Sequence, residues 1–104
     1  MDNKSKAETY IGFVIRTGKF RIGANASATL KRAELMIVCS SASDNTKKEA
    51  EKLARKFGCK LLEPIKKTLD ELTHRENAKV MAITDKSLSN AILSNSEEDF
   101  IARN

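Results

Sequence analysis

Apolar side chains recur along the chain in two rhythms, one that wraps onto a helix face and one that suits an extended strand. Tyr10, Ile11, Val14 and Ile15 share one face of a predicted helix over 7–17, and Gly18 stands where a left-handed stop belongs. Gly12 lowers helix propensity there by about 1 kcal/mol, so a closely packed backbone neighbour is expected at that point. Lys19-Phe20-Arg21-Ile22 alternates polar and apolar, as a short half-buried strand does, and Gly23 closes it. Residues 24–32 read as a short second helix. The run Leu35-Met36-Ile37-Val38-Cys39 suits a strand covered on both faces. After a polar loop, Thr46 and Glu49 have capping-box spacing, and Ala50, Leu53, Ala54 and Phe57 form a helical stripe that stops at Gly58. Lys60-Leu61-Leu62-Glu63 is a third strand ending at Pro64, and Ile65, Leu69 and Leu72 mark a fourth helix. Val80 to Thr84 is the fourth strand. Asp85 caps a fifth helix carrying Leu88, Ala91 and Ile92, and residues 96–101 add a final turn or a short helix.

This alternation of helix and strand predicts the α/β class, as a three-layer α-β-α sandwich around a four-stranded sheet. A chain of 104 residues has room for one hydrophobic core, so a single domain over 1–104 is expected. No apolar run approaches the ~20 residues of a bilayer span and no signal-peptide core follows Met1, which predicts a cytoplasmic protein with no membrane partner. Cys39 and Cys59 sit among apolar residues without metal or redox spacing, so both are expected to be buried reduced thiols. The net charge of +5 raises the chance of an anionic partner. Its excess lies in the first third, whereas the tail over 96–104 holds Glu97, Glu98 and Asp99 against Arg103 alone.

Catalytic chemistry finds little purchase. The single histidine, His74, falls at the predicted end of helix four, where an imidazole more often serves the helix dipole than a proton transfer. Asp70-Glu71 and Glu97-Glu98-Asp99 are adjacent carboxylates that diverge around a helix axis. Gly18 and Gly23 have the glycine spacing of a phosphate loop, but Ala24 and Asn25 replace its lysine and hydroxyl residue. No metal-ligand spacing occurs. The expectation is a protein that is not an enzyme and needs no metal and no cofactor.

The turn and helix start after the first strand, Gly23 to Arg32, carry the alternative. A helix N-terminus presents unpaired amides to which phosphate docks, and Asn25, Ser27 and Thr29 add short donors and acceptors beside Ala24. Lys31 and Arg32, with Lys19 and Arg21 close in sequence, would supply the attraction. The plainer reading of the same residues is that Asn25 or Ser27 caps a helix and the cations are solvated surface.

Arg16-Thr17-Gly18-Lys19, the glycine-started second helix, Ser43-Asp44-Asn45-Thr46-Lys47-Lys48 and Ala82-Ile83-Thr84-Asp85-Lys86 together resemble the ribosomal protein L-seven-Ae superfamily, most closely its bacterial, ribosome-associated members. The resemblance covers roughly residues 10–93. It implies a sandwich with a mixed sheet and binding of structured RNA, kink-turn or ribosomal, as part of a ribonucleoprotein. The family's kink-turn signature is G-x-N-E-x-x-K at the start of the second helix, assisted by the loop before the last strand. Gly23 and Asn25 match its glycine and asparagine; Ala26 stands at the acidic position and Thr29 at the lysine, with Lys31 one turn on as the nearest replacement. In the second region Thr73 stands where the family has glycine, followed by His74 and Arg75 in a polar loop. A guanine edge needs a carboxylate or amide partner, and Ala26 offers none.

Two functions of different class follow. One is non-catalytic RNA binding by a monomer through Lys19, Arg21, Gly23, Ala24, Asn25, Ser27, Thr29, Lys31, Arg32, Thr73, His74 and Arg75. The other is a protein-interaction module that keeps the fold and has lost the RNA site, with an acidic tail that docks on a protein partner or on the chain's own basic face.

Overall fold

The computed structural model describes residues 5–104. The first helix, α1 (Lys6–Thr17), forms where the periodicity predicts it: the Ser5 hydroxyl accepts the Glu8 amide, and Gly18, at φ 73°, turns its N–H back to Val14. Ala7, Ile11 and Val14 are its buried stripe. Then come β1 (Phe20–Ile22), α2 (Ala24–Ala28), β2 (Leu35–Val38), α3 (Asp44–Phe57), β3 (Lys60–Pro64), α4 (Leu69–Thr73), β4 (Val80–Ile83), α5 (Lys86–Ser94) and β5 (Phe100–Ala102).

The strands form one mixed sheet in the order β1-β4-β2-β3-β5. Only β2 and β3 are parallel, with Met36 opposite Leu61; β4 runs against both β1 and β2, and β5 runs against β3. Successive side chains on a strand point to opposite faces, and all of β2 and β4 is buried, so the sheet is covered on both sides. One helical group packs α1 against α4 and α5, and another packs α2 against α3. Burying a Leu, Ile or Met contributes roughly 1.5–3 kcal/mol, and Leu35, Met36, Ile37, Met81 and Ile83 are all fully buried at the centre.

Several expectations are corrected. The sheet has five strands, not four: the acidic tail, expected as a turn or helix, supplies β5 as an edge strand. Residues 29–32 are not helical, because α2 ends at Ala28, where the Thr29 hydroxyl bonds the Ala26 carbonyl. Ile65 lies outside α4 and is 54% exposed; the helix starts at Leu69 under a capping box formed by Thr68 and Glu71. The cap of α3 is Ser43 rather than Thr46, whose amide the Ser43 hydroxyl accepts. A side chain at Gly12 would meet nothing within 4 Å, so no neighbour demands that glycine. Cys39 is buried as expected, but Cys59 is only half-buried.

The strand directions fix where the loops gather. β1, β2 and β3 finish, and β4 and β5 begin, at one end of the sheet. α2 and α3 start at that same end, as does α4, whose Leu69 amide points at the Cys39 sulfur.

Candidate nucleic-acid interface

At this end the chain leaves β1 through Gly23. Its amide donates to the Val80 carbonyl at 2.8 Å, adding one rung between β1 and the start of β4. Its φ of 102° is what requires glycine there, since an added Cβ would find open space. The Gly23 carbonyl accepts the Ser27 amide at 2.9 Å, the first bond of α2. The amides of Ala24, Asn25 and Ala26 therefore have no partner within the helix. With five residues α2 has little macrodipole, so those donors, not the dipole, are what it presents.

The loop between α4 and β4 arrives beside them, because it feeds Val80. It is held in one shape by Asp70. The Asp70 carbonyl accepts the Arg75 amide, its Oδ2 accepts the Asn77 amide at 3.1 Å, and its Oδ1 lies 4.0 Å from Lys79 Nζ. His74 and Asn77 both adopt left-handed backbone, at φ 57° and 58°. That geometry is uncommon outside glycine, although Asn and His are enriched in it. The loop turns Arg75 over the ring of Phe20 in β1, guanidinium carbon 5.2 Å from the ring centre. Two segments more than 50 residues apart in sequence thus meet along β1, through Gly23–Val80 at its end and Phe20–Arg75 at its start.

The predicted residues divide. Gly23, Ala24, Asn25, His74 and Arg75 lie at the corner, with Asn25, His74 and Arg75 exposed. Arg21 is exposed one strand position before Ile22, its guanidinium bonded to the Phe20 carbonyl. Ser27 and Thr73 are buried: Ser27 Oγ has no hydrogen-bond partner, and the Thr73 hydroxyl bonds the Leu69 carbonyl. Neither reaches a ligand. Lys19 pairs with Asp85 at the far end of β4, and Arg32 pairs with Glu34, whose amide bonds Ile83 there. Lys31 is exposed on the same return to β2. Because α2 runs back along the sheet, residues close to Gly23 in sequence are carried to the opposite end.

Sequence reasoning missed Phe20 as a platform, Asp70 as the loop's anchor and Lys79 as a cation beside it. The signal was faint: only Asn77, a residue suited to left-handed backbone, marks a tight turn. Behind Lys79, whose ammonium donates to Ser41 Oγ at 2.9 Å, that oxygen lies 3.2 Å from Cys39 Sγ. Burial pushes the Cys39 thiol up, but the Ser41 hydroxyl, the Leu69 and Ser41 amides and the Lys79 charge together hold it below its ordinary value.

The tail is engaged inside the chain. Asp99 pairs with Lys66, Phe100 is buried, and Arg103 donates to both Glu51 and Glu63. Among the described residues no cluster of three or more His, Cys, Asp or Glu side chains is placed to hold a metal ion, and no helix is long and apolar enough to cross a membrane.

No family model and no curated protein matches the chain. It is similar to a solved structure of a protein with unknown function from Bacillus halodurans C, at 17% identity over 88% of this chain and 96% of that one. The TM-score of 0.73 at that identity establishes a shared α/β fold.

Proposed function

We propose that the chain binds structured RNA, without catalysis, at the corner where β1, the start of α2 and the 74–79 loop converge. The reading joins this corner to the resemblance to the L-seven-Ae superfamily, and with it to a cytoplasmic, ribosome-associated role and a three-layer sandwich. The observation that carries it is Arg75 lying on Phe20 at the start of β1, the strand whose other end leads into Gly23, which links two regions implicated separately by the sequence. A guanidinium stacked on an aromatic ring keeps its outer N–H edge for phosphate, and stacking restricts the motion it would lose on binding. The amides of residues 24–26 and the Asn25 side chain supply short-range donors for a second phosphate or a ribose hydroxyl. With Ala26 in place of a carboxylate, recognition rests on the shape of a bent backbone more than on a base edge.

Titration of a kink-turn RNA and of a plain duplex of equal length, each at two salt concentrations, tests this. The kink-turn is expected to bind more tightly. Arg75→Ala is expected to remove that preference and to reduce the salt slope by about one unit. Equal, weak affinity for the two RNAs contradicts the proposal.

A further inference from the structure

Helix α3 begins at the same end of the sheet as the proposed RNA corner and packs directly against α2. Its inner face is Ala50, Leu53, Ala54 and Phe57, buried or half-buried. At 100° per residue, Lys48, Lys52, Arg55 and Lys56 gather on the opposite, solvent-facing side, and all four are exposed. They extend over nine residues, about 12 Å of helix leading away from the corner.

Several cations elsewhere in the chain are paired, although Arg21 and Arg75 have no carboxylate partner among the described residues. Lys19, Arg32, Lys47, Lys66, Lys79 and Arg103 each face a carboxylate within 4.0 Å. None of the four on α3 has such a partner among the described residues. The acids available on the helix are drawn elsewhere: Glu51, four residues before Arg55, is taken by Arg103, and Glu49 accepts from Asn45. Asp44 stands one turn before Lys48 without closing on it. Lys48 and Lys52, and again Lys52 and Lys56, are like charges at i, i+4, a spacing that weakens a helix. The stripe therefore works against the helix that carries it and is not neutralised within the chain.

We infer that the outer face of α3 is a second, sequence-indifferent contact for RNA, a track for the phosphate backbone of the helix flanking whatever feature seats at the corner. The inference rests on the RNA-binding reading of that corner. The two surfaces make different contributions. The corner selects a bent RNA over a straight one, whereas the stripe adds counterion-release affinity to both alike.

The test compares the parent chain with a stripe variant, Lys48→Gln, Lys52→Gln, Arg55→Gln and Lys56→Gln together, and with the corner variant Arg75→Ala. Each is titrated with a kink-turn hairpin and a plain duplex of equal length at several salt concentrations. The stripe variant is expected to lose at least about tenfold in affinity for both RNAs, and about two to four units of salt slope, while its ratio between them stays that of the parent. Arg75→Ala is expected to change the ratio instead. A stripe variant matching the parent on both RNAs overturns the track and leaves the corner standing. Loss of the ratio in the stripe variant also overturns it, because the stripe would then be selective. If the parent binds neither RNA, both readings fail. Circular dichroism and a urea midpoint at or above the parent's verify folding; should the quadruple variant fold poorly, the pair Lys48→Gln and Lys52→Gln is measured instead, with about half the loss expected.

Discussion

The two edges of the sheet are built from strands of equal length, three residues each, and the chain treats them in opposite ways. At the β5 edge polar and charged groups are turned inward: Arg103 spans Glu51 and Glu63, Asp99 meets Lys66, and the Asn104 side chain bonds the Leu61 amide and the Cys59 carbonyl. At the β1 edge they face outward. Arg21 reaches only its neighbour's carbonyl, and Arg75 lies on Phe20 with no carboxylate partner among the described residues. A short edge strand stays in register only if something beyond its few ladder bonds holds it. The β5 edge uses side chains from its own tail. The β1 edge uses Gly23–Val80 and a loop fixed by Asp70, and leaves Arg21 and Arg75 without a carboxylate partner among the described residues.

Stability should therefore concentrate at one edge and binding at the other. The largest contrast is expected between two phenylalanines. Phe100→Ala removes a ring that is 5% exposed and should cost about 3 kcal/mol, read as a lower urea midpoint. Phe20→Ala, at a half-buried position, should cost about 1–2 kcal/mol while abolishing preference for the kink-turn. If the two lose equal stability and Phe20→Ala binds RNA as the parent does, the contrast is broken.

A smaller effect separates two arginines. Arg103→Ala leaves Glu63, whose side chain is 12% exposed, with only Lys47 at 3.9 Å, and should cost about 1 kcal/mol after allowance for the partial exposure of the guanidinium, with RNA affinity unchanged. Arg75→Ala should shift the urea midpoint hardly at all. The smallest effect sharpens which side of α2 matters. Ser27 Oγ is buried without a hydrogen-bond partner, so Ser27→Ala should be neutral or stabilising by up to about 1 kcal/mol and leave RNA binding intact. Asn25→Ala, on the exposed side of the same helix, should weaken RNA binding without changing thermal stability.

What the sequence made legible was whatever local chemistry decides. The apolar runs of β2 and β4, the stripe of α3, the stops at Gly18 and Gly58 and the Asp85 cap each depend on neighbours within a turn or two. β5 was illegible because its partners are remote: Arg103 and Glu51 are 52 residues apart, and Asn104 and Leu61 are 43. The α3 cap moved by a turn because Ser43 and Thr46 are equally suited to capping, and their hydroxyls bond each other at 3.0 Å. The candidate site was half legible for a related reason. Gly23 declares itself by type and Asn25 by its place after it, but proximity in sequence also suggested Lys19, Lys31 and Arg32, which strand and helix direction carry to the far end. The antiparallel pairing of β1 with β4 brings the loop before β4 alongside β1, and with it Arg75 onto Phe20.

The division between the edges is tested most directly by following backbone amide resonances as a kink-turn RNA is added. The largest shifts are predicted at Gly23 to Ala26 and at Arg75 to Lys79, a smaller set along Lys48 to Lys56, and none at Phe100 to Asn104. Shifts centred on the β5 edge, or no saturable shift at Gly23 to Ala26, would contradict the account.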